Sequence, residues 1–456
     1  MGNLIFSRRS LQTRLDALGS VLPEKACDLL IARLERPGRD RLAAMWEVAM
    51  LAGFSREGVL KHEVSLVDGS RPDFSIVIAQ GEASIELIGD ITSVSDKGID
   101  KQNPVREFGD HITRLARKHG LDPNHFRYDI KGRFEGVYGD SRSQVLLPRA
   151  TEMTALLKDE IEPFLRELAR TPRPQASLPH KAPGIDFTIS YDQSQRFAGG
   201  GYPAYNLAYS KTKNPIYTAL DKKASQLRHA PPGTIRIIVV CDGGCRPMQD
   251  QRPGMGPSYA GRNIADSFLA RTTAVDLVLL VTTERVNPST LARDPRLRLR
   301  CDLVAPLPRR RHERLSEKAL AAVQSFLERS FQHLPTPMID PENARIRGSK
   351  KDYGFGLHGD YQVSGNSVRI SSRVLLELLA GQTNFERFAQ LHGWEKSPFS
   401  NHRNPLELAL KRGDMIDSVS VIDGADHDDD WIEIHLRSSD PAISSFRPRG
   451  KSGPEH

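Results

Sequence analysis

"SRPDFSIVIAQGEASIELIGDITSVSD", Ser70 to Asp96, is the stretch on which the fold turns. Two runs, "DFSIVIA" and "SIELIGDITSV", are rich in β-branched and apolar residues, and polar residues around Gln80–Gly81 separate them. That pattern predicts an antiparallel hairpin. Pairing about Gln80–Gly81 sets Asp73 roughly opposite Ile88. Side chains on one face of a strand share parity, so Glu86, Ile88, Asp90 and Thr92 face one way and Asp73 faces with them. Two carboxylates held close repel each other, and a divalent cation removes that cost. The plain alternative is a set of acids solvated on a sheet edge.

Helical periodicity precedes the hairpin at Leu22–Leu34 and again at "RLAAMWEVAMLAGF", Arg41–Phe54. Glu47 stands within the apolar face of the second helix, among Ala43, Ala44, Trp46, Met50 and Leu51. "VLKHEVSLV" reads as a strand. After the hairpin, Lys97–Asn124 is polar and partly helical, and Ala150–Ala169 is an amphipathic helix. The Pro-rich stretch Arg170–Gly184 reads as a linker or long loop. "IDFTISYD" and "YNLAYSKT" read as strands around the loop "FAGGGYPAY", which has no phosphate-binding fingerprint. A helix over Asn214–Ala230, strand "TIRIIVVCD", helix "YAGRNIADSFLAR" and strand "VDLVLLVTTE" then alternate. The expected fold is α/β, a mixed central sheet flanked by helices, with an appended C-terminal α+β domain. The expected division is a helical segment 1–40, a core 41–334 with an insertion around 97–185, a linker 335–350, a C-terminal domain 351–446 and a disordered tail 447–456.

The 456 residues are 38% hydrophobic and 27% charged, the balance of a water-soluble globular chain. No apolar run approaches the roughly 20 residues that span a bilayer, and no signal peptide is read at the N-terminus, so a cytoplasmic protein with no membrane partner is expected. Four cysteines make no disulfide framework. Cys241 and Cys245 lack a matching metal-ligand pair and read as buried thiols. The net charge of +7 is compatible with a polyanion. The densest basic run is "PRRRHER", so Arg309, Arg310 and Arg311 are candidate phosphate contacts. "DHDDD", Asp426–Asp430, reads as an acidic turn, and Asp242 of "CDGG" as a turn residue. His62 and His111 have no argued role.

"RLAAMWEVAMLAGF", "HEVSL", "RPDFSIVI" and "GDITSV", followed much later by "LDKKASQL" and "IRIIVVCDGG", resemble in order the PD-(D/E)xK nuclease superfamily, the restriction-endonuclease-like phosphodiesterases. The resemblance spans about Arg41 to Glu284. It implies a metal-dependent nuclease using Mg²⁺ or Mn²⁺ on nucleic acid, DNA ahead of RNA. The helical acid would be Glu47, the motif Asp would be Asp73, and the strand acid Asp90, with Glu86 as alternative. Thr92 stands where the motif has Lys. Lys223 is the best candidate for a migrated Lys, and Gln226, one helical turn on, would join it. Nucleases of this kind with extra domains imply an effector of a bacterial defence system. The C-terminal domain would bind a protein partner, form a homo-oligomer or read the substrate. The Thr92 departure leaves a second reading open: an inactive nuclease-fold protein that binds nucleic acid or acts as a scaffold.

Overall fold

The computed structural model describes residues 5–36, 39–80, 83–96, 105–148, 150–203, 207–250, 258–286, 297–348, 361–392, 394, 404–424, 429–437, 440 and 443. The chain forms two compact units. The larger comprises Leu18–Ile31 and Trp46–Leu334, and the smaller comprises Met1–Ala17, Ala32–Met45 and Pro335–His456. Secondary structure is mixed α/β, with sheets flanked by helices.

Helix α1 (Arg39–Glu57), which belongs to the larger unit from Trp46 onward, leads into a meander of β1 (Val59–His62), β2 (Phe74–Gln80) and β3 (Ala83–Val94). The expected strand "VLKHEVSLV" stops at His62, and Glu63 takes a left-handed φ of 49°. The long segment between β3 and Pro215 folds as a body with its own core, described below. Then follow α3 (Pro215–Leu227), β10 (Ile235–Asp242), α4 (Gly261–Leu269), β11 (Leu277–Arg285), β12 (Leu297–Val304) and α5 (Glu317–Gln332). These strands form one six-stranded sheet in the order β1-β2-β3-β10-β11-β12. β3, β10 and β11 run parallel, while β1, β2 and β12 are antiparallel to their neighbours.

Strand alternation assigns the two faces. Ile238, Val240, Val278 and Leu280 pack with Ile216, Leu220, Ala224 and Leu227 of α3 and with Ile264 and Phe268 of α4. On the other side Phe54 of α1 lies 5.1 Å from the ring of Phe74 and 5.6 Å from that of Phe326 in α5. Helix α3 starts sharply because Asn214 accepts from the amide of Tyr217 at 2.8 Å and Pro215 occupies the first turn.

The insertion holds α2 (Val105–Lys118), β4 (Phe126–Ile130), the ribbon β5 (Gly132–Val137) and β6 (Asp140–Val145), a helical stretch from Ala150 to Arg170 with a π-turn over Leu157–Ile161, and β7 (Gln175–Ala182), β8 (Ile185–Asp192) and β9 (Gly199–Gly201). Its core gathers Phe108, Phe126, Ile161, Leu165, Phe187 and Ile189. The segment expected to be a loop, Arg170–Gly184, is largely strand. β7 pairs with β8 as a hairpin, and its residues alternate between exposed and half-buried. Pro179 is tolerated because β7 is an edge strand. Conversely, "YNLAYSKT" forms no strand over its described residues and makes only one bridge, Ser210 to Asp140.

The smaller unit contains an antiparallel sheet, β13 (Tyr361–Ser364), β14 (Ser367–Ser371), β16 (Trp431–Arg437) and β15 (Met415–Ile422) in that order. Val368, Ile370, Val374, Phe388, Trp394 and Ile434 form its core. The expected linker contains a helix, Pro341–Gly348, and Met338 donates its amide to Ile5 at 2.7 Å. The expected tail from 447 lies outside the described residues.

Candidate functional site: a buried Asp–Lys–Asp constellation

The last residue pair of the hairpin is Gln80–Ala83, so the pairing is centred one residue later than expected. Phe74 therefore pairs with Gly89, and the ladder continues to set Asp73 beside Asp90 instead of opposite Ile88. The shift moves the partner by two residues, so parity is preserved and the acids still share a face. Gly89 has to be glycine: a Cβ there would sit 2.5 Å from the carbonyl oxygen of Ile237.

Asp90 pairs in register with Ile238 and faces α3 with it. It is fully buried. Lys223, on α3, reaches over the sheet and places Nζ 2.9 Å from Asp90 Oδ1 and 3.6 Å from Asp73 Oδ2. Asp73 is aimed by a second contact, its Oδ2 accepting the Ile91 amide at 2.7 Å. Burial, and next the neighbouring charge of Asp73, push the Asp90 carboxyl up to about 6, against the opposing pull of Lys223. Burial alone would lower Lys223, but Asp73 and Asp90 more than offset it and leave the ammonium above its ordinary value. Asp90 Oδ2 is buried with no hydrogen-bond partner, and so is Oε1 of Gln226, one turn along α3 from Lys223.

Two other expected residues lie elsewhere. Glu86 is on the same face but two steps toward the turn, exposed and accepting from Ser75 Oγ at 2.8 Å. Asp90 is thus the strand acid that meets Asp73. Glu47 does not join them. It projects from α1 near Cys241, whose thiol its charge helps to raise, after the dominant effect of burial. Cys241 alternates with Val240, which faces α3, so α1 and Glu47 serve the opposite side of the sheet. The expected cluster of three carboxylates is therefore absent. Among the described residues, no group of three or more His, Cys, Asp or Glu side chains is placed to hold a metal ion. Thr92, half-buried, is the next residue on the Asp90 face, paired with Val240.

The donor set that is present still fits a small hard cation. Mg²⁺ takes one or two carboxylates and completes its shell with waters and substrate oxygens. Asp73 and Asp90 supply two carboxylates, one with an unsatisfied buried oxygen.

Arg309 and Arg310 are exposed in a short 3₁₀ turn, Pro308–Arg310, while Arg311 is engaged with Glu317 at 2.5 Å and with the carbonyl of Pro306 at 3.0 Å. Asp90, Ile238, Val278 and Val304 lie in one row across the sheet, so this run follows the far edge strand, three strands from β3. It is not part of the constellation.

Sequence reading missed His62. It is half-buried, burial lowers its pKa against the opposing charges of Glu63 and Asp73, and its Nε2 is buried without a partner. Asp242 is an internal cap: Oδ1 accepts the amides of Gly244 and Cys245, both at 2.8 Å, and Oδ2 accepts from Thr282 Oγ1. Burial raises the Cys241 and Cys245 thiols well above their ordinary value, the opposite of what a metal thiolate needs. Of "DHDDD", Asp426, His427 and Asp428 lie outside the described residues; Asp429 accepts from Ser371 and Asp430 pairs with Arg9 at 3.0 Å.

No family model matches this chain, and neither a curated protein nor a solved structure matches it significantly.

Proposed function

We propose that the protein is a metal-dependent phosphodiesterase acting on nucleic acid, DNA ahead of RNA, on a restriction-endonuclease-like core. The observation that carries the reading is the Asp73–Lys223–Asp90 arrangement with the orphaned Oδ2 of Asp90, on adjacent strands of a mixed sheet. The sheet is compatible with it: the resemblance implies a mixed sheet flanked by helices, and the six-stranded sheet is mixed.

Asp73 and Asp90 would hold Mg²⁺ or Mn²⁺, which when bound offsets phosphate charge and lowers the pKa of a coordinated water. Lys223, in contact with both acids, takes the place of the Lys that Thr92 replaces in β3. Its ammonium donates toward the scissile phosphate and stabilises charge building on its oxygens. The Ile91 amide fixes the Asp73 rotamer, so the acids approach the substrate in a set geometry. Gln226, with an unsatisfied buried oxygen, would orient Lys223 or a water.

One observation favours the second reading, an inactive relative that binds nucleic acid: Glu47 does not complete the acid set. Incubating the protein with Mg²⁺ or Mn²⁺ and mixed DNA and RNA, beside Asp73→Ala, separates the two. Cleavage by the wild type alone is expected. Equal cleavage by both proteins rejects the site, and no cleavage by either rejects the enzyme.

A further inference from the structure

The β5–β6 ribbon is an unusual surface for a folded unit. Every residue of β5 is exposed. Phe134 is 60% exposed, and Tyr138 at the turn is 87% exposed. A second segment lies against the ribbon and also presents rings: Phe197, 78% exposed, and Tyr202. The two are joined at close range. A Cβ on Gly132 would meet the Pro203 ring at 2.2 Å, and Phe134 packs edge-on against Tyr209 with centroids 5.3 Å apart. Gly200 lies so tightly on Tyr128 that a Cβ there would be 2.1 Å from the ring, which holds the Phe197–Tyr202 loop flat on β4.

This surface is anchored, not dangling. Asp140 accepts from Ser210 Oγ at 2.6 Å and pairs with Lys213 Nζ at 2.8 Å, and Tyr259 Oη donates to the Gly139 carbonyl at 3.3 Å. Ser210 in turn receives the amide of Lys213 just ahead of the Asn214 cap of α3, the helix that carries Lys223. The ribbon is therefore tied to the start of the helix that completes the candidate site.

Clustered solvent-facing rings leave apolar area in water unless a ligand covers them. The charge says which ligand. Segments 126–145 and 196–213 carry seven Lys and Arg against three Asp and Glu. Exposed rings interleaved with excess positive charge match single-stranded nucleic acid, whose unpaired bases stack on aromatic faces while cations follow the phosphates. A duplex keeps its bases stacked inside and has no faces to offer. An apolar protein partner would gain from the rings but not from the cations.

We propose that the β5–β6 ribbon and the Phe197–Tyr202 loop form a platform for single-stranded nucleic acid, with bases on Phe134, Tyr138, Phe197 and Tyr202. The inference rests on the nuclease reading for the role of this binding, which is to feed an unpaired strand toward Asp73 and Asp90.

Fluorescence anisotropy with a labelled 20-nucleotide mixed-sequence DNA strand, its RNA counterpart and the matching duplex, all in EDTA, tests binding without cleavage. The wild type is expected to bind a single strand at least tenfold tighter than the duplex. Phe134→Ala/Tyr138→Ala should lose about tenfold or more of single-strand affinity, the order of base–aromatic stacking, with an unchanged thermal midpoint. Phe197→Ala, on the separate loop, should lose several-fold and decides the matter if the double variant does not fold. Wild-type affinity in these variants, duplex bound as tightly as single strand, or no binding at all overturns the platform. Asp73→Ala keeps the two proposals apart. Ring-dependent binding without Asp73-dependent cleavage sinks the nuclease reading and leaves the platform. Asp73-dependent cleavage with ring-independent binding does the reverse.

Discussion

Asp90 is a carboxylate enclosed by protein, with one oxygen on Lys223 and the other on nothing. Its ordinary value of 3.8 is raised to about 6, so the folded state holds the proton more tightly than the unfolded chain. The sign follows from linkage. Below pH 4 the group is protonated in both states and costs nothing. Between pH 4 and 6 it ionises in the unfolded chain first, and folding stability falls. Above 6 the penalty is full, about 3 kcal/mol by the size of the shift. Asp90→Asn removes it. The variant's melting temperature should exceed the wild type's by a margin that grows from pH 4 to 6 and is level above, read by calorimetry across that range. A constant margin would mean Asp90 is not the group. Cleavage, which needs the ionised acid, should fall at acid pH in the wild type, and raising Mg²⁺ should move that fall to lower pH because the metal competes with the proton for Asp90. Lys223→Met points the other way. It leaves two neighbouring acids without their cation, so stability at neutral pH should drop by about 3 kcal/mol in denaturant titration, with cleavage abolished.

At the level of elements, the site depends on where α3 begins. Asn214 caps it through the Tyr217 amide and ties back to the Ser210 carbonyl through Nδ2 at 2.9 Å. Asn214→Ala should cost about 1 kcal/mol in denaturant midpoint and reduce cleavage by more than that loss explains, since the helix start sets the reach of Lys223. A drop in stability with unchanged cleavage would show that α3 is held by its apolar face alone. These elements also show what was legible in the sequence. The hairpin, both parallel strands and α3 followed from sequence pattern and periodicity, and strand parity brought Asp73 and Asp90 together even though the turn centre was misplaced by one residue. Parity is insensitive to that error. Glu47 was not legible in the same way. An acid on a helix can be assigned to a helix face, but which face of the sheet that helix covers depends on the crossover from β1, which no local pattern states. β7 was hidden by Pro179, which only an edge position tolerates, and by the prolines flanking it, and His62 by having no motif around it.

The molecule as a whole divides against its chain order. Ile5 and Phe6 are fully buried, Phe6 bridges to Pro337, Met338 donates to the Ile5 carbonyl, and Arg9 pairs with Asp430. The C-terminal residues thus fold with the first residues of the chain, and with Ala32–Met45 they make the smaller unit. The consequence is testable by truncation. A chain ending at Leu334 keeps every strand of the six-stranded sheet and both acids of the site, but it leaves Ile5 and Phe6 without the backbone that pairs with them. Burying two such side chains is worth about 2 kcal/mol each, and exposing them on a free segment creates an apolar patch. The truncated chain should aggregate in size-exclusion chromatography. Removing residues 1–17 as well takes the patch away and should restore a monodisperse peak. If the chain ending at Leu334 is already monodisperse and as heat-stable as the full protein, the N-terminal segment does not depend on its C-terminal partner. If the doubly trimmed chain also aggregates, Ile5 and Phe6 are not the whole of the exposed surface, and Ala32–Met45, the smaller unit's other segment, is the next to trim.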